Sequence, residues 1–275
     1  MKVEIEGINY HIEILNEDRD KALVFLHGFT GSSTTWHRIS HHFADYKIIL
    51  LDLLGHGLSE SPENPERYKM ELQIRDLEGL FDRMDLRNFA LAGYSMGGRV
   101  ALAYACTYPE KLSALMLESA SPGLKTGQQR SDRRKSDEEL AERIVSEGMA
   151  SFVNTWEKIP LFKTQEALPE QAKAAIREER LAQNPTGLAN SLIGMGTGAQ
   201  ASYWEAISQL KLPVLLLTGS SDDKFTAIAE EMVSLMPKAV HKEISAGHAL
   251  HVEKPAEFAT IVGEYLKLNY LGGKS

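Results

Sequence analysis

Four short segments of this chain carry residue types that could make and break bonds. Gly93-Tyr94-Ser95-Met96-Gly97 sets a serine between an apolar run, Phe89 to Ala92, and a stretch of helical spacing, Arg99 to Cys106. Glycines two before and two after a serine let a helix and a neighbouring strand approach without side-chain clash, so Ser95 can occupy a strained turn with its hydroxyl in the open. His27-Gly28-Phe29 follows the apolar run Ala22 to Leu26, and a backbone N–H of that loop could pair with that of Met96 to stabilise an oxyanion. Gly219-Ser220-Ser221-Asp222-Asp223 follows Val214 to Leu217 and supplies two acids, and Ala246-Gly247-His248 follows Val240 to Ile244 and supplies a base. Serine, acid and histidine in that order, each just past an apolar run, suit catalysis in which the histidine activates the serine and the acid orients the histidine. Every piece has a plain alternative: a Gly-rich helix start, an ordinary Gly turn, a helix N-cap for either aspartate, a structural histidine. The order in which they recur separates the two readings.

Other candidates carry less. Gly273-Lys274-Ser275 imitates the end of a phosphate-binding loop, but Leu268 stands where its first glycine belongs and no helix can follow. Gly194-Met195-Gly196-Thr197-Gly198 follows a helical pattern rather than a strand, so it reads as a helix terminus or hinge and not as a dinucleotide fingerprint. His37, His41 and His42 share one segment, yet no carboxylate stands at catalytic-zinc spacing, which favours a solvated helix face. No metal site is expected.

Positioning the four segments requires a particular set of elements. Apolar runs recur at Val3 to Ile5, Tyr10 to Ile14, Ala22 to Leu26, Lys47 to Leu51, Phe89 to Ala92, Ala114 to Leu117, Val214 to Leu217 and Val240 to Ile244. Helical spacings separate the later ones, as at Glu71, Ile74, Leu77, Leu80, Phe81 and Met84, which predicts parallel βαβ units. The near-continuous runs fit a sheet covered on both faces, whereas Val3 to Ile14 alternates like an antiparallel hairpin, so the sheet is expected to be mixed only at its beginning. From about Pro122 to Leu210 strand patterns cease and helical, charged stretches take over, at Ser136 to Glu147, Pro169 to Gln183 and, after a Pro185-Thr186-Gly187 break, Leu188 to Ile193. The expected organisation is one α/β domain, residues 1–121 and 211–275, with a helical lid at 122–210 over the edge where the loops converge.

The chain has 275 residues, with 30 Lys plus Arg against 38 Asp plus Glu, for a formal charge of −8. A hydrophobic content of 43% is ordinary for a globular protein and excludes disorder and coiled coil. The single cysteine, Cys106, rules out an intrachain disulfide, and Met-Lys-Val-Glu-Ile-Glu at the start lacks the apolar run of a signal peptide. A cytoplasmic protein that binds neither nucleic acid nor membrane, monomeric or a small homo-oligomer, is the expectation. An acidic total also means that any anionic ligand must be held by a local cluster of base.

Over essentially its whole length the chain resembles α/β-hydrolase-fold proteins, through His27-Gly28, Asp52-Leu53-Leu54-Gly55-His56-Gly57-Leu58-Ser59, Gly93 to Gly98 and Gly247-His248. Esterases, C–C hydrolases, dehalogenases and lyases share that fold, and a serine nucleophile sets aside the aspartate-based branches. Gly93 to Arg99, Gly219 to Asp222 followed by Asp223-Lys224-Phe225, and Gly247-His248 are similar to the 2-succinyl-6-hydroxy-2,4-cyclohexadiene-1-carboxylate synthases, lyases of menaquinone synthesis. That resemblance implies a polycarboxylate substrate bearing an enolpyruvyl group, expulsion of pyruvate and no cofactor. It implies that Ser95, activated by His248 and oriented by Asp222, takes a proton from the substrate, with the N–H groups of Phe29 and Met96 meeting the developing charge. Substrate contacts would fall to Tyr94, Arg99, Arg133, Trp156 and Arg180, with Arg130 and Arg134 equally near Arg133 in the sequence. Lys224-Phe225 after the acid pair favours Asp222 over Asp223. Arg99 stands four residues, one helical turn, beyond Ser95, so its guanidinium can reach the same pocket or else form a surface ion pair. Arginine suits bidentate carboxylate capture. Two alternatives are kept: a serine hydrolase of esters or C–C bonds, and a noncatalytic ligand-binding protein on the same fold.

Overall fold

A computed structural model describes residues 1–270; Gly273-Lys274-Ser275 lies outside them. Eight strands form one sheet: β1 (Lys2–Ile5), β2 (Ile8–Leu15), β3 (Ala22–Leu26), β4 (Lys47–Leu51), β5 (Phe89–Tyr94), β6 (Leu112–Glu118), β7 (Val214–Gly219) and β8 (Ala239–Ile244). Their order is β1-β2-β4-β3-β5-β6-β7-β8. β1 pairs with β2, and β2 with β4, antiparallel, and every later pair is parallel. The mixed character is thus confined to the start of the sheet, where Glu6 and Gly7, both at positive φ, make the tight hairpin turn.

Alternation along the central strands divides the core in two. Val24 and Leu26 of β3, Leu91 of β5, Leu115 and Leu117 of β6 and Leu216 of β7 face one layer with Leu77, Val100 and Met232 from three helices. Leu23 and Phe25, Ala90 and Ala92, Met116, and Leu215 and Leu217 face the other, with Trp36, Phe43, Phe258 and Val262. Strands buried on both faces have no polar side to show, which is why their sequences run apolar without a break.

Between β6 and β7 the described chain is helical, with long helices at Gly127–Trp156, Glu170–Leu181 and Pro185–Met195. The first bends at Gly148, whose φ of 79° and ψ of 167° are not helical. Its apolar face meets the last of the three in a small cluster of Ala141, Ile144, Phe152, Val153, Leu188, Ala189 and Leu192. Pro185 begins a helix and does not interrupt one: Asn184 caps it by accepting the Gly187 N–H at 3.0 Å, and proline is accommodated in the first turn because its missing N–H would have no partner there. The Gly194–Gly198 stretch is a helix terminus, with the helix ending at Met195. His37, His41 and His42 are exposed, and no group of three metal-ligating side chains occurs among the described residues.

Candidate active site

Ser95 sits between β5 and the helix Met96–Thr107 at φ 50°, ψ −104°, a conformation that strains any residue with a Cβ. The turn is held by the Ser95 N–H, which donates to the Glu118 carbonyl at 2.8 Å, and by the Ser95 carbonyl, which accepts from Arg99 N–H at 3.0 Å. Close backbone approach explains the glycines: a Cβ on Gly97 would lie 2.3 Å from the Leu26 carbonyl oxygen, and one on Gly93 2.4 Å from that of Gly97.

His248 follows β8 and is 1% exposed. The Ser95 hydroxyl meets its Nε2 at 3.0 Å, and its Nδ1 meets Asp222 Oδ2 at 2.6 Å. With Nδ1–H donating to the carboxylate, Nε2 is left as an acceptor for the serine proton. Asp222 opens the helix Asp223–Leu235, yet its side chain caps nothing; it turns to His248 instead, while Asp223 is exposed. Met96 is the first residue of its helix, so its N–H has no partner within the helix, and it and Phe29 line the same cavity as Ser95.

His27 is a strut and not a reactant. It is fully buried, its Nδ1–H donates to the Gly28 carbonyl at 2.8 Å, and its Nε2 accepts the Leu53 N–H at 3.0 Å. Burial holds its pKa below the usual value, and the ring braces the loop carrying Phe29 against that of Leu53.

The cavity over Ser95 encloses about 240 Å³. Its walls are largely apolar, from Leu124, Leu140, Leu161, Phe162, Ile228 and Trp156, and three cations, Arg99, Arg133 and Lys224, reach it. Among the described residues Arg99 has no ion-pair partner. Its Nη1 donates to the Met195 carbonyl at 2.8 Å and to the Gln200 amide oxygen, both neutral. Burial and the nearby Arg133 charge pull its pKa down to about 10. Lys224 is lowered for the same two reasons. Arg133 donates from Nε to Asp137 at 2.8 Å. Of the three neighbouring arginines only Arg133 lines the cavity, since Arg130 donates to the Leu124 carbonyl at 3.0 Å and Arg134 to that of Gly198 at 3.1 Å.

Tyr94 and Trp156 line the cavity as well, the latter edge-on to Phe29 with ring centroids 5.5 Å apart. Arg180 does not. It is buried behind Phe162, 4.6 Å from that ring, with Nη2 on the Gln165 oxygen at 3.3 Å, and it opens on two neighbouring hollows. Sequence reasoning missed Lys224 as a wall of the cavity, treating it only as a marker beside the acid. It also missed Leu161 and Phe162, which sit in a 3-10 stretch with no periodicity to read.

The fold and this serine–histidine–aspartate chain define the class. Residues 21–255 match the alpha/beta hydrolase fold family, to which the chain belongs. Within it, the chain is 44% identical over 95% of its length, and 96% of the relative's, to a Bacillus subtilis (strain 168) protein that provisionally carries the name 2-succinyl-6-hydroxy-2,4-cyclohexadiene-1-carboxylate synthase. It is 34% identical over 90% of its length, and 94% of the relative's, to the synthase of that name from Salmonella paratyphi C (strain RKS4594). The solved structure of MenH from S. aureus covers 94% of this chain, and 98% of its own, with a TM-score of 0.90 at 38% identity. This chain is a member of that synthase family. A thermophilic esterase from Thermogutta terrifontis has the same fold with a TM-score of 0.84 at 25% identity, covering 98% of this chain and 99% of its own.

Proposed function

We propose that this protein is a carbon–oxygen lyase that eliminates pyruvate from 2-succinyl-5-enolpyruvyl-6-hydroxy-3-cyclohexene-1-carboxylate to give 2-succinyl-6-hydroxy-2,4-cyclohexadiene-1-carboxylate. The observation that carries this reading is that Ser95 and three cations, one of them an arginine whose acceptors among the described residues are neutral, open on one largely apolar cavity. A neutral ester would leave the Arg99 guanidinium without a counter-charge, whereas a carboxylate would meet it.

In this reading His248 Nε2 takes the Ser95 hydroxyl proton as Ser95 Oγ takes the proton from ring carbon 2, next to the succinyl ketone. The C–H electrons form the 2,3 double bond, the 3,4 pair moves to 4,5, and the bond from ring carbon 5 to the enolpyruvyl oxygen breaks. The departing enolate takes up the proton held by His248 and becomes pyruvate. Charge spreads onto the ketone oxygen, which the N–H groups of Phe29 and Met96 would meet, and Asp222 steadies the imidazolium. No step calls for a metal or cofactor. The helical segment 122–210, read as a lid on the core 1–121 and 211–275, supplies Arg133 and Trp156 to the cavity and keeps water from the intermediate.

Placement in the cytoplasm fits this chemistry, and no helix among the described residues is long and apolar enough to cross a membrane. A serine hydrolase needs the same triad, so the deciding experiment measures pyruvate release from the enolpyruvyl substrate beside hydrolysis of a short-chain aryl ester. Fast elimination with negligible esterase activity is expected. The reverse pattern makes the protein an esterase, and a folded protein that does neither and resists a serine-directed phosphonate is a binding protein.

A further inference from the structure

A second carboxylate–imidazole–hydroxyl chain lies behind the first. Glu118 ends β6, opposite Tyr94 of β5. Its backbone carbonyl accepts the Ser95 N–H at 2.8 Å and so holds the strained peptide in place. Its side-chain carboxylate accepts the His251 backbone N–H at 3.1 Å and lies 2.9 Å from His251 Nδ1 through each oxygen. On the far side of the ring, His251 Nε2 meets the Thr35 hydroxyl at 2.9 Å. A neutral imidazole is satisfied by this arrangement, with Nδ1–H donating to the carboxylate and Nε2 accepting from Thr35. The Tyr94 ring contacts both imidazoles, with centroids 4.8 Å from His251 and 5.4 Å from His248.

Glu118 is 2% exposed and His251 1%, and the only ion-pair partner of Glu118 among the described residues is His251. Burying a carboxylate without a full counter-charge is costly, and such a network is weak support for stability compared with apolar packing. What it does achieve here is geometric. One residue grips the nucleophile through its backbone and, through its side chain, the turn three residues past the base. We infer that Glu118 and His251 are positioning residues that set the separation of Ser95 Oγ from His248 Nε2, a role that rests on the triad reading above. Thr35 fixes the His251 ring from the other side. A proton transfer over 3.0 Å is sensitive to small displacements, and misplacement by about 1 Å costs on the order of 100-fold.

The test is His251→Leu, His251→Asn, Glu118→Gln and Thr35→Val in the full chain. For each, kcat and KM for elimination and the rate at which a fluorophosphonate labels Ser95 are normalised to folded protein. His251→Leu is expected to lower kcat roughly 10- to 100-fold, with KM within about threefold and labelling slowed in parallel. His251→Asn, whose amide can present a donor where Nδ1–H stood, recovers most of that loss, and Thr35→Val gives a smaller one. Should Glu118→Gln fail to fold, the His251 pair and Thr35→Val decide. If His251→Leu melts early yet keeps kcat and labelling within twofold of wild type, the network is structural only and the inference is overturned. Ser95→Ala serves as the control: loss of labelling leaves the triad standing whatever the His251 variants do, whereas labelling at the wild-type rate would remove the triad and the positioning role together.

Discussion

Asp222 and Asp223 carry the same carboxyl on adjacent residues, but Asp222 is 7% exposed and reaches His248, while Asp223 is exposed at the start of its helix. Asp222→Asn should therefore lower kcat by orders of magnitude, as should Ser95→Ala and His248→Ala, whereas Asp223→Asn should stay near wild type. Groups that act as one unit are non-additive, so the Ser95→Ala/His248→Ala double variant should cost little more than the worse single one, and additive losses would mean the two act separately. Arg99→Ala should cost about 1.5 to 3 kcal/mol in kcat/KM for the polycarboxylate, roughly 10- to 150-fold, and almost nothing for an aryl ester. Arg99→Lys keeps the charge without the planar fork and should recover part of it. At this scale the sequence was legible where a motif is local: Ser95 with its glycines, or Arg99 one turn on. It was illegible where partners lie far apart in the chain. Nothing about Glu118 as the last residue of a strand announces His251, and Arg180 looks like any helical arginine until Phe162 is seen to stand between it and the cavity.

Elements were read more readily than contacts, because a strand covered on both faces must be apolar throughout and a turn beside it must tolerate close backbone. The central strands from Ala22 to Gly219 follow from that rule, whereas β8 at the edge exposes Val240, Lys242 and Glu243. The 3-10 stretch Pro160–Ala167 obeys no such rule, since its side chains are set by what the neighbouring helices leave open. Gly97→Ala tests the turn. Its Cβ would meet the Leu26 and His27 carbonyl oxygens at 2.3 and 2.4 Å, and backbone cannot swing aside as a flexible side chain can. A loss of about 3 kcal/mol is expected in urea unfolding, with activity falling as Ser95 is displaced. Gly263→Ala is the counterpart: it lies within the helix Pro255–Asn269 with nothing inside 4 Å of a built Cβ, and should gain about 0.4 to 1 kcal/mol.

For the molecule as a whole, two of the buried histidines, His27 and His56, make stability sensitive to acid. Burial lowers the pKa of His27, and burial with the adjoining His27 takes His56 down to about 3. An unfolded histidine takes up its proton near 6.5, so below that pH the unfolded chain binds more protons than the folded one. Stability is therefore intact above 6.5 and falls as pH falls, by up to about 1.4 kcal/mol per pH unit for each histidine. Urea midpoints between pH 7 and pH 4 should show this slope, and His56→Asn should flatten it. The cavity cations have a different consequence. Burial, and after it the Arg133 charge, lowers the pKa of both Arg99 and Lys224, so an anion that settles among these cations acts as a clasp, drawing the Arg133 of the helical segment toward the core that carries Arg99 and Lys224. The molecule should thus report its own occupancy: a small dicarboxylate at 100 times its Kd would add about 2.7 kcal/mol to the unfolding free energy. Lys224→Gln should gain less from the dicarboxylate than the wild type does.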